Sequence, residues 1–188
     1  MGDWARLSSV GDLDDVLGQA PLTAVVLDGT GTWADVETAV GLPDVLASCA
    51  VSIGVLAGQV RTSRTSLLAL GCDLLVARSD TVVDVSDAAV QHVVGTRMPA
   101  WVTELPHQVG ADLLLSWGLA CELTEDPVAT ADQIAARLSG RSWFALEATV
   151  RIMRRLDLDL DAHLVLEADA QMVCLESEEH RAAMRRTP

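Results

Sequence analysis

The sequence predicts an α/β protein whose mainly parallel sheet is covered on both faces and is followed by a helical C-terminal part. Three observations point there. Short aliphatic runs end at Gly or Asp without polar alternation, the pattern of strands buried on both faces. Apolar residues at helical spacing separate several of these runs. In the final third the helical spacing continues with no strand run between.

Taken in order, residues 9–18 (SVGDLDDVLG) set Leu13, Val16 and Leu17 at helical spacing, with Asp12 as the expected cap. After Pro21, LTAVVLDG reads as a buried strand. Residues 33–47 look helical, broken near the middle by Gly41 and Pro43. Residues 50–57 (AVSIGVLA) form a second strand closed by Gly58, and QVRTSRTS follows as a polar loop. Residues 66–72 read as a short apolar helix, and 73–78 and 81–85 as a third and a fourth strand. Between 86 and 110 the pattern is ambiguous, with Gly95 and Pro99 as punctuation, and 111–121 suggest a short apolar helix. Ile134 and Leu138 share a helical face, as do Trp143, Leu146, Val150 and Met153 behind Ser142 as cap. Asp161 is the expected cap of a helix striped with Leu164, Val165, Ala168, Met172 and Leu175. Ser177 before Glu178 and Glu179 marks one more helix start, since acids suit the positive end.

The 188 residues suit one domain with at most a small appendage. A chain of this size buries about 70% of its unfolded surface, enough for a core without staples. Half the residues are apolar, which excludes disorder. With five Trp, one Phe and no Tyr, packing must be largely aliphatic. Trp117 and Trp143 sit at apolar helical positions as core or interface plugs. A net charge of −14 excludes a nucleic-acid binder and attraction to an anionic membrane. Six of the positive residues lie in 1–140 and seven in the last 48, so an acidic body carries a mildly basic tail suited to pairing subunits. Cys49, Cys72, Cys121 and Cys174 have no ligand spacing and read as buried, reduced thiols, with no metal expected. The N-terminus lacks a signal pattern and no apolar run reaches the ~18 residues of a membrane span, so a cytoplasmic location is expected.

The stretch AVSIGVLAGQV…SLLALGCDLLVARSDTVVDV is more specific. It resembles the central region of the crotonase (enoyl-CoA hydratase/isomerase) superfamily. There a strand of the type pvIAavnG leads through a Gly-rich turn to a helix ending ELAlaCD, and then to a strand lriAs. The matching parts are Val51–Gly58, Ser66–Asp73 and Leu74–Ser79. Upstream, VVLDGTGTWADVETAV resembles the family's vvltG.G.aFcAGaDl.em, with Trp33-Ala34-Asp35 on its end. Downstream, QVGADLLLSWGLACELTEDP and LESEEHRAAM resemble two later family segments. The likeness runs over residues 22–186 in the family's order. It implies a divergent, shortened member, lacking most of the first two β-hairpins. The implied fold is a spiral of ββα units (residues 1–140) with a helical oligomerisation region (141–188), assembled as a homo-trimer or hexamer.

The resemblance also implies chemistry: binding of an acyl-CoA thioester as substrate, with no cofactor, and stabilisation of its enolate by two backbone N–H groups. The first would be Ala34, the second Ser63 or Arg64. Here the sequence departs from the family. RTSRTS (Arg61–Ser66) replaces the three glycines that let backbone approach the thioester, and the AG before Ala34 is missing. The first of a hydratase's two carboxylates falls on Ser66 or Leu67, neither an acid. The second falls on Asp87 by direct counting from Asp73, or on Gln91 or His92 if an insertion precedes it. Asp87, with His92 behind it, is thus the acid/base candidate. Arg61 and Arg64 are candidates for holding CoA phosphates or a substrate carboxylate, or for an inter-subunit salt bridge. Two readings stay open: a crotonase-like isomerase or hydratase (lyase), or a non-catalytic subunit of the same fold that supports a partner enzyme in a specialised acyl-CoA or polyketide pathway.

Overall fold

The structure, a computed structural model, describes residues 4–9, 12–17, 22–30, 49–60, 64–84, 108–154 and 159–186. Its centre is a five-stranded parallel sheet. The strands are β1 (Trp4–Leu7), β2 (Ala24–Asp28), β3 (Val51–Leu56), β5 (Leu74–Ala77) and β8 (Glu122–Leu123), in the order β1-β2-β3-β5-β8. A small second sheet joins β4 (Gln59–Val60), β6 (Val82–Asp84) and β7 (Gln108–Gly110); β4 and β6 are parallel and β7 runs antiparallel to β6. The expectation of a mainly parallel sheet holds, and the two-residue β8 is a strand too short for periodicity to reveal.

Every residue of β2 and β3 is buried, because helices or loops pack on both faces. Alternate residues feed separate cores. Val25, Leu27, Leu56 and Leu75 pack with α2 (Arg64–Gly71) and α3 (Ala111–Ser116) residues Ala69, Leu70 and Leu114. Ala24, Val26, Ile53, Val55 and Val76 pack with Ala131 and Ala135 of α4 (Pro127–Ser139) and with Trp143, Leu146 and Val150 of α5 (Trp143–Met153). Gly54 is required by one such contact: a Cβ there would lie 2.2 Å from the Ala69 carbonyl oxygen, so glycine lets α2 rest on β3.

Helix ends follow their capping chemistry with two corrections. Asp126 accepts from the Ala129 N–H at 3.0 Å, Ser142 from Ala145 at 3.4 Å, and Ser177 from the His180 N–H at 3.1 Å. The cap of α6 (Leu160–Glu176) is Asp159, accepting from Ala162 at 2.8 Å, rather than Asp161, which lies inside the first turn. Asp12 opens α1 (Asp12–Leu17), but its carboxylate reaches back to the N–H groups of Ser8 and Ser9 at 2.7 and 2.8 Å. α7 (Glu178–Arg186) ends the described chain. The helix expected over 33–47 lies outside the described residues. Of the polar loop expected over 59–66, Gln59–Val60 is strand β4, 61–63 lie outside the described residues, and α2 begins at Arg64, two residues earlier than the apolar pattern suggests.

The four cysteines are reduced thiols; Cys49 and Cys72 are buried as expected, but Cys121 is exposed and Cys174 half-buried. Cys121 follows the turn out of α3 at the sheet edge, where its Sγ donates to the Leu75 carbonyl at 3.2 Å. No described helix is long and apolar enough to cross a membrane.

Candidate active site

In parallel α/β sheets, ligands bind beyond the carboxyl ends of the strands, where the loops converge. Here that end is organised by two strand–turn–strand units side by side. β3 continues through Ala57-Gly58 into β4, and β5 continues through residues 78–81 into β6. Gly58 takes φ +65°, which its lack of a side chain permits. The two turns are stapled together. Arg78 N–H donates to the Leu56 carbonyl and Val82 N–H to the Gly58 carbonyl, each at 3.0 Å. Thr81 Oγ1 donates to the Leu56 carbonyl at 3.2 Å, and Gly58 N–H to Asp80 Oδ1, also at 3.2 Å. Arg78 holds Asp80 through Nε and Nη2 at 2.6 and 2.7 Å. Beside them β2 ends in a tight turn. Asp28 is buried, and its Oδ1 accepts from the N–H and hydroxyl of Thr30 at 2.9 and 2.6 Å.

The parallel pairing of β4 and β6 sets Val60 opposite Val83. The chain therefore leaves the small sheet at the same end in both places; in sequence Arg64 follows Val60 by four residues and Asp87 follows Asp84 by three. Arg64 opens α2, whose first N–H groups have no partner within the helix and sit at the positive end of its dipole. Ser66 and Leu67, where a first carboxylate would fall, are both within α2. Ala34, Arg61, Ser63, Asp87, Gln91 and His92 lie outside the described residues; of the predicted site only Arg64 is placed, as the first residue of that helix.

Sequence reasoning missed a polar cluster at the opposite end of the sheet. Asp73, largely buried, accepts from Ser52 N–H and Oγ at 2.8 and 2.7 Å, and from Arg154 Nε and Nη2 at 2.8 and 2.6 Å. Burial pushes the Asp73 carboxyl up, but the hydrogen bonds from Arg154 and Ser52 outweigh it and hold the group below the usual carboxylate range. The signal was Ser52, a polar residue inside an aliphatic strand, which must find a partner when buried. Nothing in the sequence pairs Arg154 with Asp73, 81 residues away.

No protein-family profile matches the sequence, and no curated protein matches it. Solved structures do. The chain superposes on an enoyl-CoA hydratase from Polaromonas sp. JS666 with a TM-score of 0.69 at 22% identity, over 95% of this chain and 86% of that one. An enoyl-CoA hydratase/isomerase from Mycobacterium paratuberculosis gives 0.69 at 15% identity, over 93% and 81%. An enoyl-CoA hydratase from Thermoplasma volcanium gives 0.68 at 18%, over 95% and 86%. The protein has the crotonase fold. The β3–β4–α2 unit, a strand turning through glycine into a short strand and then a helix, is one ββα unit of the crotonase spiral.

Proposed function

We propose that the protein acts on an acyl-CoA thioester, binding its carbonyl at the N-terminus of α2 and stabilising an enolate there. The observation that carries this reading is the parallel pairing of β4 and β6, whose chains leave the small sheet at one end. It supports a helix-end N–H donor and a carboxylate delivered to one place, the minimum an enolate reaction needs. The Arg64 N–H, or that of Ser63, is one oxyanion donor and the Ala34 N–H the other. Asp87 is the general base, with His92 behind it, and Arg61 holds an anionic group of the substrate. With Ser66 or Leu67 in place of the first carboxylate, water lacks one of its two handles. Double-bond isomerisation, which one carboxylate can perform by moving a proton, is therefore favoured over hydration.

The test is an assay of a panel of enoyl-CoAs for both reactions. Isomerisation should be detectable, and hydration of crotonyl-CoA should stay far below the ~10 s⁻¹ median of enzymes. Asp87→Asn should lower isomerisation at least about a hundredfold with the melting temperature nearly unchanged. Loss of activity in Gln91→Ala or His92→Ala instead would shift the register of the site.

The second reading, a non-catalytic subunit, is favoured by one observation: α6 presents Leu164, Val165, Ala168, Met172 and Leu175 to solvent rather than to its own core. An exposed stripe of that kind needs cover from another chain. We place a second copy there in either reading, in a trimer or hexamer. If no acyl-CoA turns over while a co-purified enzyme loses rate without this protein, the subunit reading stands.

A further inference from the structure

α5 is pinned to the body at both ends. At its start, Trp143 Nε1 donates to the Leu22 carbonyl at 3.1 Å, just ahead of β2. At its C-terminal cap, Arg154 grips Asp73, which stands immediately before β5 and is itself tied to Ser52 near the start of β3. Because β2, β3 and β5 are parallel, all three anchor points lie at the amino end of the sheet, remote from the candidate active site. Between the pins Leu146 and Val150 pack on the sheet face. Among the described residues, α6 is joined to the sheet by no side-chain hydrogen bond or ion pair. Among the described residues α6 packs on α5 and α7, and on no strand to a comparable extent. The direction of α5 therefore fixes where α6 and its exposed stripe point.

Apolar contacts alone leave a helix free to slide or rotate a few degrees, since they are not directional. A two-bond guanidinium–carboxylate fork fixes both distance and angle, and a cation at the last turn of a helix also suits its negative end. The carboxylate is pre-oriented by two donors from Ser52, so the fork meets a rigid acceptor.

We propose that Arg154 and Asp73 are positioning residues that set the angle at which the C-terminal helices leave the body, and so orient α6 for the neighbouring copy. The second half rests on the assembly reading above; the first does not. The test uses full-length protein, with hydrogen exchange resolved by peptide and sedimentation measured side by side for wild type, Arg154→Gln, Arg154→Lys and Leu164→Glu. In Arg154→Gln, amides of α5 and α6 should exchange at least about tenfold faster, a loss on the scale of one strong charge-assisted contact. Those of β2, β3 and β5 should keep their wild-type rates, and the assembly should dissociate at higher concentration. Arg154→Lys, which keeps the charge and loses the fork, should fall between. Leu164→Glu should weaken assembly while α5 exchanges as in wild type. Equal acceleration in the sheet, unchanged exchange in α5, or α5 exchange in Leu164→Glu as fast as in Arg154→Gln each overturns the positioning role. A monomeric wild type removes the assembly reading alone, because the exchange of α5 still decides the pinning.

Discussion

β3 and α6 both carry aliphatic residues, and those residues meet opposite fates. In β3 every side chain is buried; in α6, Leu160, Leu164, Val165, Met172, Val173 and Leu175 are each more than half exposed, and Ala170 is its one buried residue. The difference is in what covers them. A strand inside a parallel sheet has neighbours on two edges and helices on two faces, so its apolar run is satisfied within the chain. A helix docked only on other helices, as α6 is on α5 and α7, hides a limited arc. The apolar residues of α6 spread over much of its circumference, and most of them stay exposed.

That contrast is sharpest in paired truncations. Leu75 is fully buried in β5, and Leu75→Ala should cost about 2–5 kcal/mol in urea unfolding, the range for a buried Leu in a core that cannot collapse. Leu164→Ala should change the unfolding of the dissociated chain by no more than about 0.5 kcal/mol, yet raise the concentration at which the assembly dissociates. Equal costs for the two truncations in monomer would mean that α6 is already covered and the contrast is false.

The contact of β3 with α2 gives the next effect. Gly54→Ala puts a methyl against the Ala69 backbone, where neither a rotamer change nor side-chain flexibility can relieve it. α2 must move. The expected cost is about 2–3 kcal/mol, toward the upper end for overpacking. Because α2 carries Arg64 at its start, enoyl-CoA binding should weaken beyond what the stability loss accounts for. A Gly140→Ala control, whose nearest contact is an ordinary 3.6 Å, should do neither.

The same contrast explains what was legible in sequence. The strands of the body were readable because AVVLD, VSIGVL and LLVA are long enough to show continuous burial, and their order with the CD turn pointed to the fold. Caps were readable where one side-chain oxygen stood at one position, as at Ser142 and Ser177. At α6 two aspartates, Asp159 and Asp161, stood within reach, and only backbone geometry separates them: Asp159 is extended and Asp161 already helical. β4 and β8 are two residues each and carry no period. The apolar residues of α6 were legible in sequence, but periodicity is blind to whether anything in the same chain covers them. The Asp73–Arg154 fork was invisible because a long-range ion pair leaves no local pattern. For the candidate site, sequence supplied residue types at family positions; the structure adds the start of α2 and the shared exit of β4 and β6.

The smallest expected effect again separates inside from outside, through cysteine. Cys49 is buried in the sheet core, and burial, reinforced by the nearby Asp73 carboxylate, pushes its thiol up to about 11. In the unfolded chain it titrates near 8.5. Between those values the unfolded state loses a proton that the folded state keeps, so stability must fall as pH rises through this window. The exposed Cys121 is also shifted upward by partial burial and adds to the same slope. The window is unusually clean in this protein, because all 13 of its basic side chains are Arg and it has no Tyr, leaving no Lys or phenol to titrate there. Thermal unfolding in reductant should therefore show stability falling between pH 8.5 and 11, and Cys49→Ala should flatten most of that slope while Cys121→Ala removes the smaller part. A slope unchanged in Cys49→Ala would mean that the thiol is hydrated in the folded protein, and that the amino end of β3 is less closed than the strand itself.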